Sequence, residues 1–180
     1  LKKIMDNLKK IIFFIENITL KIGRKISWLI LAMTLIAFSV ALLRYFFNIG
    51  FVWMQELYIW MHGLVFLLAA AYTLQEDKHV RVDIFYRKFS EKKKAYINIF
   101  FSILFIIPFI LIVSKYSMPY ILKSWISLEK SREAGGLNFL YIYKTSIILF
   151  CFFLFIQTIA LILRCVLVVN NKEVKIFFKS

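Results

Sequence analysis

Cysteine and histidine are almost absent, and that scarcity closes off several kinds of chemistry. The two cysteines, Cys151 and Cys165, fall in one apolar run, where fourteen helical rises would part them by about 21 Å, beyond disulfide reach within the chain. They read as small core or lipid-facing residues. The two histidines, His62 and His79, are expected at different depths, so neither a zinc nor a haem ligand set can be assembled from them, and no metal or cofactor is expected. A small-residue cleavage site is also missing. The first apolar run ends in LLRYFF, which argues against a cleaved signal peptide. Discontinuous helices, internal repeats and polar groups converging at mid-run, the marks of a membrane transporter acting alone, are missing too.

Apolar surface is what the chain has in excess. Of its 180 residues 62% are hydrophobic and 18% aromatic, with a mean hydropathy of +0.78, well above an ordinary soluble domain. Four apolar runs, at about 26–47, 51–74, 95–113 and 140–163, approach or exceed the roughly 20 residues that cross 30 Å of hydrocarbon. Lipid leaves irregular backbone unpaired, so these runs must be helices. The expected fold is all-α, an integral membrane bundle of four transmembrane helices. Residues 1–25 precede it as an interfacial amphipathic helix with Ile4, Leu8, Ile11, Ile12, Ile15, Ile18 and Ile22 at helical spacing. A four-span domain follows over 26–169, and a basic tail over 170–180.

The formal charge of +14 invites comparison with nucleic-acid binders, but the distribution excludes it. Eighteen of the 24 basic residues lie before residue 26, between the second and third runs, or from Arg164 onward. In a four-span zigzag those segments share one side. The positive-inside rule then makes both termini and the central connector cytoplasmic, with attraction to anionic membrane lipid.

The polar residues inside or beside the runs carry the rest of the information. Arg44 and Glu56 flank a short Asn48-Ile49-Gly50 turn and come out close in depth, so an ion pair or a charge-dipole contact is expected, internal or facing another subunit. Trp53 and Trp60, with Tyr45 and Tyr58, suit an outer aromatic belt or a packing stripe. His62 suits a hydrogen bond to a neighbouring helix or a ligand contact, and Gly63 with Ala69, Ala70 and Ala71 leaves one side of the second helix thin. In the connector, His79, Arg81 and Asp83 alternate with Val80 and Val82; either a solvated loop or an extended, packed segment fits. Ser90 before Glu91 signals the start of the third helix, which Pro108 should kink or leave with a locally freed carbonyl. Beyond Val113 a helical extension or short interfacial helix is expected, with Trp125 at the interface, Glu129 and Glu133 on one face and Gly135-Gly136 as its stop. Asn138 can cap the fourth helix, and Lys144, in its early turns, can snorkel outward.

The stretches RYFFNIGFVWMQEL, AAAYTLQEDKHVRVD and SWISLEKSREAGGLN, followed by Lys144, resemble in order and spacing the small membrane subunit of tripartite ATP-independent periplasmic (TRAP) transporters, the DctQ-type permease component. Asn138 departs from that pattern, which usually has proline after Gly-Gly-Leu. The resemblance implies a non-catalytic subunit, not an enzyme, in the bacterial inner (cytoplasmic) membrane. Its partners would be a large multi-span permease subunit, holding the sodium and substrate sites, and a periplasmic substrate-binding protein that delivers an organic acid. It implies that Arg44, Trp53 and Glu56 secure the outer half or the seam with the large subunit. His79, Arg81 and Asp83 would order the cytoplasmic connector, and Trp125, Glu129, Ser131, Gly135, Gly136 and Lys144 would shape the outer surface. Two other classes stay in view. One is a self-sufficient small proton-coupled transporter using Glu56; the other is a four-helix membrane redox protein, for which paired histidines are lacking.

Overall fold

A computed structural model describes residues 2–79, 86 and 88–170, with side chains from residue 6 onward. Among the described residues it is all helical: α1 (Lys2–Phe47), α2 (Val52–Gln75), α3 (Glu91–Ile126) and α4 (Leu140–Val169), each long and apolar enough to cross a membrane. The α1–α2 turn and the 127–139 connector lie at one end, the turn end. Residues 76–79 and 88–90 and the far end of α4 lie at the other.

The basic N-terminal stretch and the first span are one unbroken helix of 46 residues. Nothing in its sequence stops it, since it has no proline and a single glycine, Gly23. At Gly23 the helix instead approaches α2, where an added Cβ would stand 2.5 Å from the Tyr72 ring. The boundary expected near residue 25 is therefore a change of composition without a change of backbone.

Three helix ends close in the same way. Asn48, Asp77 and Leu128 take φ of 53°, 58° and 44°, and the next N–H reaches back six residues, from Ile49 to Leu43 O (3.1 Å), or five residues, from Lys78 to Thr73 O (2.9 Å) and Glu129 to Ser124 O (3.0 Å). Left-handed residues at helix C-termini allow this closure, and asparagine and aspartate accept it more readily than leucine. At the start of α3 the Ser90 side chain faces Lys93 N–H at 3.5 Å, the start signal expected there. Pro108 cannot donate to Leu104, and the turn just before it, Ser102–Ile106, widens into a π-helix. The helix then continues through Pro119 to Ile126, so the helical extension is the alternative realised beyond Val113.

One helix holds the assembly together. In the most apolar stretch of α4, 39% of residues are enclosed by the chain itself, against 6–11% in α1, α2 and α3. Leu74, Ala95 and Ile110 converge on Cys151, Leu154, Leu161, Cys165 and Val168 of α4, which places both cysteines in the core, unpaired. α1 and α2 pack on each other and on α4; α3 packs on α4 without substantial contact with α1 or α2. Large apolar side chains therefore face outward over most of three helices, among them Trp28, Phe66 and Tyr116. Such a surface is stable only against lipid or another membrane protein.

The α2–α4 contact depends on Gly63. Trp60 stacks on Tyr143 at 5.1 Å and 12°, and a Cβ at Gly63 would meet the Tyr143 hydroxyl at 2.0 Å. Gly63→Ala is expected to cost about 1–3 kcal/mol in thermal unfolding of the detergent-solubilised protein. Tyr143→Phe in the same chain should recover part of that loss. An unchanged melting curve for Gly63→Ala would contradict the close approach.

Candidate functional site

The described polar residues concentrate near the two ends of the helices. At the turn end the organising group is Glu56, in the second turn of α2. Its carboxylate accepts the Ser131 hydroxyl on one oxygen and the Leu137 N–H, at 2.7 Å, on the other. Ser131 in turn accepts Glu133 N–H at 3.1 Å, and its own N–H donates to Leu137 O at 2.9 Å. One acid thus ties the two strands of a small loop, residues 131–137, to α2. Gly136 makes room for it, because a Cβ there would lie 2.5 Å from Ser131 Oγ and 2.7 Å from Glu56 Oε2. Gly135, at φ 78°, takes a left-handed conformation that suits glycine.

A second contact pins the same connector to α4. The Lys144 ammonium pairs with Glu129 and sits over the Tyr120 ring, 3.9 Å from its centroid. Trp125 Nε1 donates to Thr145 Oγ1 at 2.9 Å, with its ring edge-on to Tyr141 at 4.8 Å. Between these contacts opens a cavity of about 520 Å³, lined by Leu67, Tyr120, Arg132, Tyr143, Lys144 and Ile147 among others. The Lys144 ammonium that hydrogen-bonds Glu129 holds the Glu129 carboxyl below its usual range. A carboxyl lowered on folding contributes stability above its unfolded pKa and loses it as pH falls through the folded value. Near-ultraviolet ellipticity from the Trp125 region should hold steady from neutral pH to about pH 4 and change only in stronger acid. Glu129→Gln should abolish that acid transition, and a transition already near pH 6 would contradict the assignment.

Several expectations are corrected here. Arg44 is exposed and makes no ion pair or hydrogen bond among the described residues, while Glu56 turns to the 131–137 loop. Nearness across the short turn does not bring the two side chains together. Glu129 and Glu133 share no helical face, because the helix ends at Ile126 and Gly135-Gly136 shape the loop beyond it. Asn138 does not cap α4, whose first turn follows Phe139 without a side-chain cap. Lys144 does not snorkel outward but is buried, with only 7% of its surface exposed. Trp53, by contrast, is exposed and tilted against Phe51 at 6.2 Å, as an aromatic belt allows. His62 is exposed and takes no hydrogen bond from a neighbouring helix among the described residues.

At the opposite end His79 Nε2 lies 3.0 Å from Ala70 O and 3.1 Å from Thr73 Oγ1. The Thr73 hydroxyl already donates to Ala70 O, so a proton on Nε2 lets the ring donate to the same carbonyl. Arg81 and Asp83 lie outside the described residues. What sequence reasoning did not find is a buried seam joining the basic part of α1 to α4. Arg164 grips the Glu16 carboxylate through Nε and Nη2, and Thr19 donates to Gln157 Oε1 at 3.1 Å. Glu16 sits at 4% exposure and Thr19 at 2%. A signal was present: Ile12, Glu16 and Thr19 follow one another at helical spacing, which places an acid on the apolar stripe.

Comparison with known proteins agrees with the layout. The family model described as tripartite ATP-independent periplasmic transporters, DctQ component, matches residues 33–167. Nothing among curated proteins or solved structures matches the chain. The match takes in α2, α3, the tied loop and nearly all of α4, and the chain belongs to the DctQ family, the small membrane subunit of TRAP transporters.

Proposed function

We propose that this subunit braces a large, sodium-coupled permease subunit in the bacterial inner membrane and carries no substrate itself. The complex takes up an organic acid delivered by a periplasmic binding protein. The observation that carries this reading is the enclosure of α4 alone. Three other spans lie open along most of their length, the condition expected of rods that complete their packing on a larger neighbour. Three of the described ion pairs lie close to helix ends or in connectors, and the fourth joins Glu16, in the basic part of α1, to Arg164 in the last turns of α4, which suits a brace better than an ion pathway through mid-membrane. The basic excess at the termini and the 76–90 connector orients that end toward the cytoplasm. Arg44, Trp53, Glu56 and the 129–137 connector then face the periplasm, where the binding protein arrives, and His79 helps to close the inner end of α2.

Co-expression with a large TRAP permease subunit from the same genome tests this directly. The expected result is a complex that survives solubilisation and size exclusion at equal stoichiometry. Cysteines introduced at Lys92–Lys94 should react with impermeant maleimide only after the membrane is opened. Separate elution of the two proteins, or labelling of those cysteines from outside, would overturn the reading.

A further inference from the structure

One polar ring on the outside of the helices has no account so far. His62 stands about 15 Å along α2 from Val52 and about 20 Å from Gln75, the middle of a membrane span. It is exposed and makes no hydrogen bond, ion pair or ring contact among the described residues. At helical spacing it shares a stripe with Gln55, Ile59, Phe66 and Ala69. Ile59 and Phe66 are 53% and 76% exposed, and Ala69 leaves a shallow notch one turn further on. Lipid tails offer an imidazole no partner, and polar groups facing hydrocarbon are costly, so ionisable side chains in spans turn to protein or water.

We infer that this stripe is the seat of a transmembrane helix of the large permease subunit, with the His62 ring hydrogen-bonded to a hydroxyl, amide or carbonyl group at that helix's mid-depth. The inference rests on the bracing role proposed above and names the surface that performs it. Phe66 and Ile59 supply the packing, Ala69 lets the backbones approach, and His62 fixes the register, the usual division between small, apolar and polar residues where membrane helices meet. A second copy of this chain would set two such stripes face to face. The large subunit is preferred because the DctQ family works in an assembly of different components.

The test has two parts, both with the large subunit co-expressed. His62→Leu should weaken the complex about three- to fifteen-fold in a detergent-titrated pull-down. His62→Gln, which keeps hydrogen-bonding capacity, should retain most of the affinity. The melting temperature of the isolated His62→Leu subunit should not fall, which separates a lost partner contact from misfolding. Benzoylphenylalanine placed at position 62 should yield, on irradiation, an adduct of one small and one large subunit. Wild-type affinity in His62→Leu, or an adduct only with lipid or a second copy, overturns this inference while leaving the bracing role intact. Failure of the wild-type proteins to associate at all would overturn both.

Discussion

Arg164→Ala is expected to destabilise the isolated subunit by about 3–5 kcal/mol, the largest effect of any single substitution considered. The reason is the burial of the partner. Glu16 is enclosed by α1 and α4, with 5% of its side chain exposed, and losing the guanidinium leaves a carboxylate with neither water nor cation. The Thr19–Gln157 hydrogen bond lies one turn away on α1 and two on α4, so the seam should open as a unit and release the basic part of α1 from α4. The double variant Glu16→Leu, Arg164→Leu should recover most of the loss or exceed the wild type, as buried ion pairs often do when replaced whole by apolar groups. Thermal unfolding in a mild detergent, followed by far-ultraviolet ellipticity, measures both. A single variant as stable as the wild type would mean that water reaches the pair.

Glu56→Ala should free the 131–137 loop with less effect on the global fold. Two hydrogen bonds to one carboxylate are lost, and bonds to a charged acceptor contribute about 1.5–3 kcal/mol each. Local opening of the loop should therefore rise by at least tenfold. Trypsin reports this conveniently, since Lys130 and Arg132 are exposed in the same connector. Cleavage there should accelerate at least tenfold in Glu56→Ala and less in Glu56→Gln, whose amide oxygen still accepts from one donor. Gly136→Ala should resemble Glu56→Ala although it removes no polar group, because its methyl occupies the space in which the carboxylate meets Ser131. Arg44→Ala should leave cleavage unchanged. If Arg44→Ala opened the loop as Glu56→Ala does, the assignment of Glu56 to the loop in place of Arg44 would fail.

Depth was legible in the sequence, and facing was not. Run lengths placed four spans, Ser90 marked the start of α3, and Pro108 marked its irregularity, because each signal acts on the backbone within a turn of itself. Arg44 and Glu56 show the limit. Linear spacing put them at one level, but the rotation of α2 about its axis decides the partner, and packing on α4 turns Glu56 toward the connector. Ser131 was selected only through resemblance, and Glu129 and Lys144 were read apart from each other. The contacts of Ser131 with Glu56 and of Glu129 with Lys144 come from a connector whose path depends on Leu128 and Gly135 taking positive φ. The α1–α4 seam was missed for another reason: Glu16 and Arg164 are 148 residues apart, and a mainly basic, amphipathic segment reads most simply as lying on a membrane surface. α1 runs straight on from that segment into the span because no residue in it breaks a helix.

The bracing role is tested most directly by sodium-driven uptake of a radiolabelled carboxylate, presented by its binding protein, into proteoliposomes containing the small subunit, the large subunit, or both. Accumulation above background only when both are present is the predicted result. Accumulation by the small subunit alone, or full-rate uptake by the large subunit without it, would contradict the account.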